Sequence, residues 1–376
     1  MKPFDWLIVG AGFTGAVLAE RLASQTHQSV LVVDRRDHIG GNAYDCYDEH
    51  GILIHRYGAH IFHTNSTRIW EYLSQFTKWR AYCHEVKGLI DDKLVPIPFN
   101  LNSLEQLFPR TMAERLTCKL AERHGYGARV PILRMLEETD SELRELAKYV
   151  YKEVFERYTF KQWGLNAEDL DASVTGRVPV FVSRDNRYFQ DVYQGIPLDG
   201  YTEMFRRMLA HPSIQVVLGE DGKKAIDQVA AKNVLFTGPI DEYFDFAYGA
   251  LPYRSLRFEF RYEQVTRFQP VAVVNFPNKE LFTRILEFRH LSGQVADGTT
   301  VAYEYPQPHV PGETEPYYPI PKEENKEKYA RYLREAQKLS GRVYFAGRLA
   351  DYKYYNMDQA VGRALKLFEE IAGVAR

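Results

Sequence analysis

The chain has 376 residues, of which 45% are hydrophobic and 26% are charged, and it is too long for a single compact core. Its formal net charge of −2 excludes a global preference for nucleic acid or an anionic membrane, so an anionic ligand must be held by local arginines. The three widely spaced cysteines form neither a disulfide framework nor a zinc motif, and no apolar run is long enough to span a membrane. We therefore expect a cytoplasmic protein without membrane insertion.

The N-terminal residues predict a βαβ unit. Residues 6–9 form a short apolar run that ends at Gly10, which is typical of a buried parallel strand. Residues 12–24 have the apolar pattern of a helix that packs on a sheet. Residues 30–33 form a second apolar run and end at Asp34.

The middle of the chain has helical patterns. Residues 67–76 and 103–123 are predicted helices, and a longer helix is predicted from Ser141, which is a suitable N-cap. Residues 171–190 change in character and predict a mobile substrate loop.

Strand-like stretches follow, and the chain ends on another strand and a helix from about Asp358 to Ala372. The predicted strands cover residues 214–218, 233–237, 255–263, 270–276, 281–288, 300–305 and 342–346. This order predicts an α/β fold in which a discontinuous Rossmann-type nucleotide-binding domain carries an inserted helical lobe and an antiparallel β-sheet lobe. The expected domains are residues 1–65, 190–250 and 335–376 for the nucleotide-binding domain, 66–170 for the helical domain, 171–190 for the loop and 251–334 for the sheet domain.

The first strand–helix junction carries a dinucleotide-binding motif. Gly10 allows a tight turn, Gly12 lets the backbone approach a pyrophosphate, and Gly15 lets the helix pack closely on the strand. The helix N-terminus directs its N–H groups at the phosphates. Asp34 ends the second strand, where a carboxylate accepts hydrogen bonds from ribose hydroxyls.

Two further features favour FAD over NAD. A second glycine pair, Gly40 and Gly41, follows Asp34 closely, as in flavoproteins whose chain passes the cofactor twice. Near the C-terminus, Gly347 precedes a helix whose N–H groups suit the flavin ring. The Rossmann-type domain is therefore predicted to be an FAD-binding domain, and its predicted cofactor-binding residues are Gly10, Gly12, Phe13, Thr14, Gly15, Asp34, Arg35, Gly41, Asn42, Gly347 and Arg348.

Motifs outside this unit occur in a specific order. They begin at Tyr57 (YGAHIFHT), Tyr158 (YTFKQWG), Arg187 (RYF), Gly200 (GYT), Thr283 (TR), Tyr317 (YYPI), Gly347 (GR) and Tyr354 (YYNMD). Together they resemble the prokaryotic UDP-galactopyranose mutase family over essentially the whole chain.

The resemblance implies an FAD enzyme that interconverts UDP-galactopyranose and UDP-galactofuranose. In that family the N5 atom of reduced FAD acts as the nucleophile at the sugar anomeric carbon, and the reaction has no net redox change. NADPH or NADH is the implied external reductant, and the implied partners are a UDP-sugar substrate and a second copy of the chain in a homodimer.

The resemblance also implies the roles of individual residues. Arg177 and Arg284 match the arginines that bind the diphosphate, Tyr158 matches the tyrosine that stacks on uracil, and Trp163 matches a wall of the sugar site. The implied substrate-binding residues are Phe155, Tyr158, Thr159, Trp163, Arg177, Tyr188, Arg284, Tyr317 and Tyr354. The implied catalytic residues are His63, Arg177 and Arg284.

His55, His60 and His63 invite a zinc interpretation, but no cysteine or carboxylate at ligand spacing joins them, so no metal site is predicted. The family places this motif beside the flavin, so the resemblance makes His63 a candidate for tuning the reduced ring or its local protons. It also adds His60, Tyr354, Asn356 and Met357 to the implied cofactor-binding residues.

Two departures from the family pattern concern the sugar. Ala59 stands where proline is frequent, and Asn356 stands where some members have aspartate. These departures leave open the same chemistry on a 2-acetamido or deoxy nucleotide sugar. An FAD-dependent amine oxidase or dehydrogenase shares the fold, but two phosphate-type arginines and a tyrosine-rich cleft describe an anionic nucleotide better than an amine. A non-catalytic binding protein on the same fold predicts a decayed glycine motif, whereas Gly10, Gly12, Gly15 and Asp34 are all present.

Overall fold

A computed structural model describes residues 3–166, 178–320 and 322–373, so that Arg177 and the start of the predicted loop 171–190 lie outside the described residues. The strands are β1 Phe4–Val9, β2 Val30–Asp34, β3 Asp45–Tyr47, β4 Leu53–His55, β5 Phe62–Thr64, β6 Trp79–Ala81, β7 Val86–Ile90, β8 Lys93–Ile97, β9 Arg129–Val130, β10 Val180–Phe181, β11 Tyr193–Pro197, β12 Ile214–Leu218, β13 Ala231–Phe236, β14 Tyr253–Glu263, β15 Val273–Asn275, β16 Arg284–Glu287, β17 Thr299–Pro308, β18 Tyr318–Pro319 and β19 Val343–Phe345.

The α-helices are α1 Phe13–Thr26, α2 Thr67–Ser74, α3 Leu101–Leu107, α4 Arg110–His124, α5 Ile132–Met135, α6 Ser141–Val150, α7 Arg157–Trp163, α8 Tyr201–Met208, α9 Gly222–Gln228, α10 Ile240–Tyr243, α11 Phe288–Ser292, α12 Glu323–Lys338 and α13 Met357–Ala372. A 3₁₀ turn covers Gly41–Ala43, and a π-helical turn, Tyr151–Glu156, separates α6 from α7. Among the helices that the structure describes, none has both the length and the hydrophobicity that crossing a membrane requires.

The chain divides into two compact units. The first unit comprises Met1–Tyr82, Asp191–Tyr253 and His309–Arg376, and the second comprises Cys83–Gln190 and Arg254–Pro308. These boundaries differ from the predicted domains because the predicted helical and sheet domains share one unit. The physical reason is that β15 pairs in parallel with β7, which comes from the segment with helical patterns.

The first unit contains a parallel sheet in the order β12-β2-β1-β13-β19. Alternate residues of β1 enter two separate hydrophobic clusters, with Trp6 and Ile8 on one side and Leu7 and Val9 on the other. A strand that is covered on both faces has a continuous run of apolar residues, and for this reason the sequence pattern located β1. All five strands end at the same edge of the sheet, and the candidate cleft lies there.

The second unit contains an antiparallel run of strands in the order β14-β17-β16-β15-β7-β8, interrupted by the parallel pair β15 and β7. The α-helices α3 to α7 belong to the same unit. The α/β class and the predicted strands of both units are confirmed.

Several local predictions were wrong. Asp140, rather than Ser141, caps α6, because its carboxylate accepts hydrogen bonds from the N–H groups of Glu142 (2.9 Å) and Leu143 (3.0 Å). The predicted helical segment contains the hairpin of β7 and β8, whose residues pair with later parts of the chain. The short strand β10 lies within the predicted loop 171–190.

Candidate functional site

The first unit has a cleft at the carboxyl edge of its parallel sheet, with about 270 Å³ that the centre of a water molecule can occupy. The predicted residues that line it are Gly10, Gly12, Phe13, Thr14, Gly15, Asp34, Arg35, Gly41, Asn42, His60, Gly347, Arg348, Asn356 and Met357. Tyr354 is not among the lining residues that the structure describes; its ring packs against that of Tyr318 at 4.8 Å.

The three glycines of the motif are required for different reasons. Gly10 has φ +109°, and a Cβ atom there would lie 2.0 Å from Oγ1 of Thr237. A Cβ atom on Gly15 would lie 1.9 Å from the carbonyl oxygen of Gly10. A Cβ atom on Gly12 would meet nothing closer than the Cα atom of Gly41 at 3.7 Å. Protein packing therefore fixes Gly10 and Gly15, whereas Gly12 leaves open space through which a ligand can approach the backbone.

The N-terminus of α1 borders this open space. Gly12 is its N-cap and provides no side-chain cap, and the first turn has no acidic residue. The helix end thus presents N–H groups and a positive partial charge that suit a pyrophosphate.

Asp34 is held beside the glycine turn. Its Oδ2 accepts a hydrogen bond from the N–H of Ala11 (2.8 Å), and its Oδ1 accepts one from the N–H of Arg36 (2.9 Å). Each carboxylate oxygen keeps further acceptor capacity, which suits ribose hydroxyls.

The cleft also includes residues that were not predicted. They follow the ends of β12 and β13 or come from later segments: Asp221, Gly222, Lys223, Thr237, Gly238, Pro239, Glu242, Glu315 and Pro316. Glu315 forms ion pairs with Arg35 (2.9 Å) and Arg36 (2.6 Å). The sequence did contain a signal for the residues after β12 and β13, because the apolar runs of both strands end close to a glycine, Gly219 and Gly238. Parallel strands end at one edge of the sheet, so residues that follow such runs are expected beside the glycine motif.

The histidine motif is divided between two environments. His60 lines the cleft, and its backbone N–H donates to Nδ1 of His55 at 3.0 Å. Burial lowers the pKa of His55 to about 4, so its ring is neutral and accepts at Nδ1. Nδ1 of His63 lies 3.0 Å from the carboxylate of Asp191, and His63 is not among the described residues that line the cleft.

The described residues contain no group of three or more histidine, cysteine or carboxylate side chains that could hold a metal ion.

A cluster of aromatic residues surrounds Arg348 in the first unit. The Arg348 guanidinium lies 5.7 Å from the ring centre of Tyr318 and 5.6 Å from that of Tyr354, and its Nη2 donates to the carbonyl oxygen of Tyr355 (2.5 Å). Tyr317 is buried, and its carbonyl oxygen accepts from Nη1 of Arg348 (3.4 Å). Of the predicted residues, the structure thus places Tyr317, Arg348 and Tyr354 in one cluster.

In the second unit, Arg284 lies at the start of β16 between two strands. Its Nε and Nη2 donate to Oε2 of Glu304 at 2.8 and 2.7 Å, and Glu304 is fully buried. Asn275 lies opposite Arg284 on β15, and its Oδ1 is buried without a hydrogen-bond partner among the described residues. Directly opposed residues share a face of the sheet, so Asn275 and Arg284 are neighbours. Sequence reasoning missed Asn275 because only strand pairing places it there.

The predicted aromatic residues of the second unit lie on and beside α7. Phe155 belongs to the π-helical turn, and Tyr158, Thr159 and Trp163 belong to α7. Trp163 is buried, whereas the other three are half-buried. The π-helical turn interrupts the predicted continuous helix, and such turns are frequent at functional sites.

Tyr188 lies in another part of the second unit. Its N–H donates to the carbonyl oxygen of His84 (2.7 Å), and the two rings are 5.8 Å apart.

The parallel sheet, the glycine turn and the cleft at the strand ends define a Rossmann-type dinucleotide-binding protein, and residues 8–76 match the NAD(P)-binding Rossmann-like domain. Residues 153–354 match the UDP-galactopyranose mutase family. The chain belongs to the UDP-galactopyranose mutase family of enzymes, as the motifs predicted.

Several curated relatives match nearly the whole chain. A probable UDP-galactopyranose mutase from Klebsiella pneumoniae is 35% identical over 97% of this chain and 94% of its own length. A dTDP-fucopyranose mutase from Escherichia coli is 32% identical over 96% of both chains. Among solved structures, a reduced UDP-galactopyranose mutase has a TM-score of 0.76 at 16% identity and covers 100% of this chain and 95% of its own, which shows a common fold.

Proposed function

We propose that this protein interconverts UDP-galactopyranose and UDP-galactofuranose with FAD bound in the cleft of the first unit. The observation that carries the proposal is the position of Arg284 directly across the strand pair from Asn275, whose buried amide oxygen has no partner among the described residues, within a chain that resembles UDP-sugar mutases over nearly its whole length. A guanidinium held in place by a buried carboxylate suits the diphosphate of a nucleotide sugar, and the buried amide oxygen of Asn275 suits an N–H or hydroxyl donor of the substrate.

The cleft residues fit FAD. Gly12 leaves open space at the N-terminus of α1 for the pyrophosphate, and Asp34 offers acceptors to the ribose. Asn356 and Met357 bring the N-terminus of α13 to the cleft, where its N–H groups favour an electron-rich flavin ring. When bound and reduced, FAD supplies at N5 a nucleophile for the sugar anomeric carbon, so that the sugar undergoes no net oxidation.

The protein residues then have to bind and stabilise the departing diphosphate. Arg284 presents a guanidinium that the buried Glu304 orients, and guanidinium groups bind phosphate oxygens in a bidentate manner. Arg177, outside the described residues, is the second proposed diphosphate ligand. Because charge on UDP grows as the anomeric bond breaks, cations fixed in place stabilise the transition state more than the ground state.

The remaining proposed roles concern recognition. Tyr158 stacks on uracil, Trp163 bounds the sugar, and Asn275 accepts a hydrogen bond from a substrate N–H or hydroxyl. The proposed binding residues Phe155, Thr159, Tyr188, Tyr317 and Tyr354 complete the set. His60 lines the cofactor cleft, and its contact with His55 orders the backbone there; His63, which is fixed by Asp191, is proposed to act on the local protons.

A second candidate function is the same isomerisation on another nucleotide sugar. The relative named dTDP-fucopyranose mutase supports this alternative, because its similarity to this chain is almost as extensive as that of the UDP-galactopyranose mutases. Cytoplasmic location, a homodimer and reduction by NADPH or NADH are further proposals.

The deciding experiment uses the FAD-loaded protein after dithionite reduction. We expect it to convert UDP-galactofuranose into UDP-galactopyranose, measured by chromatographic separation of the two sugars, and the oxidised protein to be inactive. dTDP-fucopyranose and a UDP-2-acetamido hexose form the comparison arms. Faster conversion of either would assign the second candidate function, and no conversion of any nucleotide sugar would exclude both.

Reductant and assembly are tested separately. NADPH and NADH should each be tried for anaerobic bleaching of the flavin visible absorbance, and light scattering should give the mass of a dimer. A monomeric mass would contradict the homodimer.

A further inference from the structure

Lys161 lies in α7, and its ammonium group is directed at the backbone of a neighbouring turn. Nζ donates to the carbonyl oxygens of Phe276 (2.5 Å), Glu280 (3.0 Å) and Phe282 (3.3 Å). A protonated lysine has three N–H donors, so these three acceptors use all of them. Lys161 therefore ties α7 to the turn 276–282.

The turn 276–282 leads directly into Arg284. The N–H of Phe276 donates to the carbonyl oxygen of Thr283 at 2.8 Å, which closes the turn. The N–H of Thr283 donates in its turn to the carbonyl oxygen of Glu304 at 2.9 Å, and Thr283 is fully buried. A constraint on this turn is therefore a constraint on the backbone that carries the Arg284 guanidinium.

The backbone of α7 is fixed from another direction by Arg254. Its Nε donates to the carbonyl oxygen of Gln162 (2.9 Å), and its Nη2 donates to that of Lys161 (3.2 Å). A cation at the C-terminus of a helix satisfies carbonyls that have no partner within the helix. Arg254 holds the main chain of α7 at Lys161 and Gln162, and the side chain of Lys161 holds the turn 276–282. The spacing between α7 and this turn is therefore fixed from both sides.

We propose that Lys161 is a positioning residue that fixes the spacing between the aromatic residues of α7, Tyr158 and Trp163, and the diphosphate ligand Arg284. This inference rests on the proposed UDP-sugar function. Lys161 acts on nucleotide affinity through these neighbours, because its three donors are already used by backbone carbonyls.

The charges around Lys161 make its anchoring of the turn depend on pH. Burial lowers the pKa of Lys161 to about 8, Glu280 in the turn opposes this shift, and Arg157 in α7 adds to it. Arg254, from β14, faces the carbonyl of Lys161 itself. Below the pKa the ammonium serves three carbonyls, whereas the neutral amine above it has two N–H donors and leaves one carbonyl without a donor.

The test measures UDP binding to the FAD-loaded protein by isothermal titration calorimetry. Lys161→Met should raise the Kd for UDP about ten-fold, because a charge-assisted anchor of the turn is lost. FAD content should not change, whereas kcat at saturating substrate should fall together with UDP affinity, because Lys161 positions Arg284, the proposed ligand of the departing diphosphate. The matched control is Lys279→Met, which changes an exposed lysine in the same turn whose nearest carboxylate, Asp92, is 3.9 Å away; its Kd should not change.

A purely structural role would give a different result. Lys161→Met would then lower the melting temperature while the Kd for UDP stayed at the wild-type value, and the inference would be overturned.

A second measurement needs no variant. The Kd of the wild type for UDP should rise as the pH passes through about 8, the pKa of Lys161, and this rise should be absent in Lys161→Arg, which keeps its charge. A Kd that does not change through this pH range would overturn the inference even if Lys161→Met failed to fold. If the wild type retained FAD but bound no UDP at any pH, the proposed function would fail and the inference with it.

Discussion

The cofactor cleft and the region around Arg284 are built from different parts of the polypeptide. In the cleft, the groups proposed to meet the ligand belong to the backbone: the glycine turn, the N-terminus of α1 and the ends of parallel strands. Around Arg284, the groups proposed to do so are side chains: a guanidinium fixed by the buried Glu304 and the buried amide oxygen of Asn275. The first arrangement depends on conformation and open space, and the second depends on charge pairing across strands.

This difference predicts different responses to mutation. A backbone site fails when a side chain is added, because the added atoms occupy the space of the protein or of the cofactor. A side-chain site fails when a side chain is removed, because its buried partner is left without compensation. The following predictions test this contrast.

The largest effect is expected for Arg284→Ala. Turnover of the reduced enzyme should fall by about a thousand-fold, because the cation that is proposed to stabilise the departing diphosphate is lost. Stability should also fall by about 3 kcal/mol, since Glu304 remains buried without its partner. Chemical denaturation and steady-state kinetics measure the two effects.

Adding Glu304→Gln to Arg284→Ala separates stability from catalysis. The double variant should regain most of the stability but none of the turnover, and it should retain its FAD. Recovery of activity in the double variant would contradict a direct role of Arg284 with the diphosphate.

The next largest effect separates two glycines of the cleft. Gly10→Ala should destabilise the protein by about 3 kcal/mol, because the new Cβ atom would collide with Thr237 at an unfavourable φ. Gly12→Ala should fold normally and lose FAD affinity. Gly219→Ala is the control for φ alone, since its Cβ atom would meet nothing within 4 Å. Equal loss of stability in Gly10→Ala and Gly12→Ala would remove the distinction between packing and ligand space.

His55 should make the stability of the first unit depend on pH. Its pKa is lowered from 6.5 to about 4, so the unfolded chain binds an additional proton between these values. The stability contribution is therefore present above pH 6.5 and is lost as the pH falls towards 4, by about 3 kcal/mol in all. Denaturation of the wild type and of His55→Asn across this range measures it, and His50→Gln is the exposed control. Parallel pH profiles for the wild type and His55→Asn would contradict the assignment.

The smallest effect is expected for Asp34→Asn. The amide N–H₂ would face the N–H of Ala11 or of Arg36, and the ribose would lose an ionised acceptor, so FAD affinity should fall about ten-fold. Fluorescence titration of the apoprotein with FAD measures it. Asp37→Asn, an exposed carboxylate nearby, should bind FAD as tightly as the wild type; if both variants weakened FAD equally, general charge rather than the Asp34 contact would be responsible.

The sequence by itself determined the features that depend on local conformation. Gly10, Gly15 and Asp34 were identified because a tight turn between a strand and a helix has steric rules that neighbouring residues must satisfy. The apolar runs of β1 and β2 were readable because strands covered on both faces are continuously hydrophobic. The family motifs could be recognised for the same reason, since each of them consists of a few consecutive residues.

Only the tertiary structure decided the features that depend on distant pairing. The hairpin of β7 and β8 joins the sheet through β15, and Asn275 faces Arg284 only because β15 and β16 pair in that register. Lys161 gives no local signal of its three carbonyl partners, because the sequence does not distinguish a fully solvated lysine from one that is half-buried. Local steric rules are contained in a few consecutive residues, whereas strand register and buried charge pairing are set by the free energy of the whole folded chain.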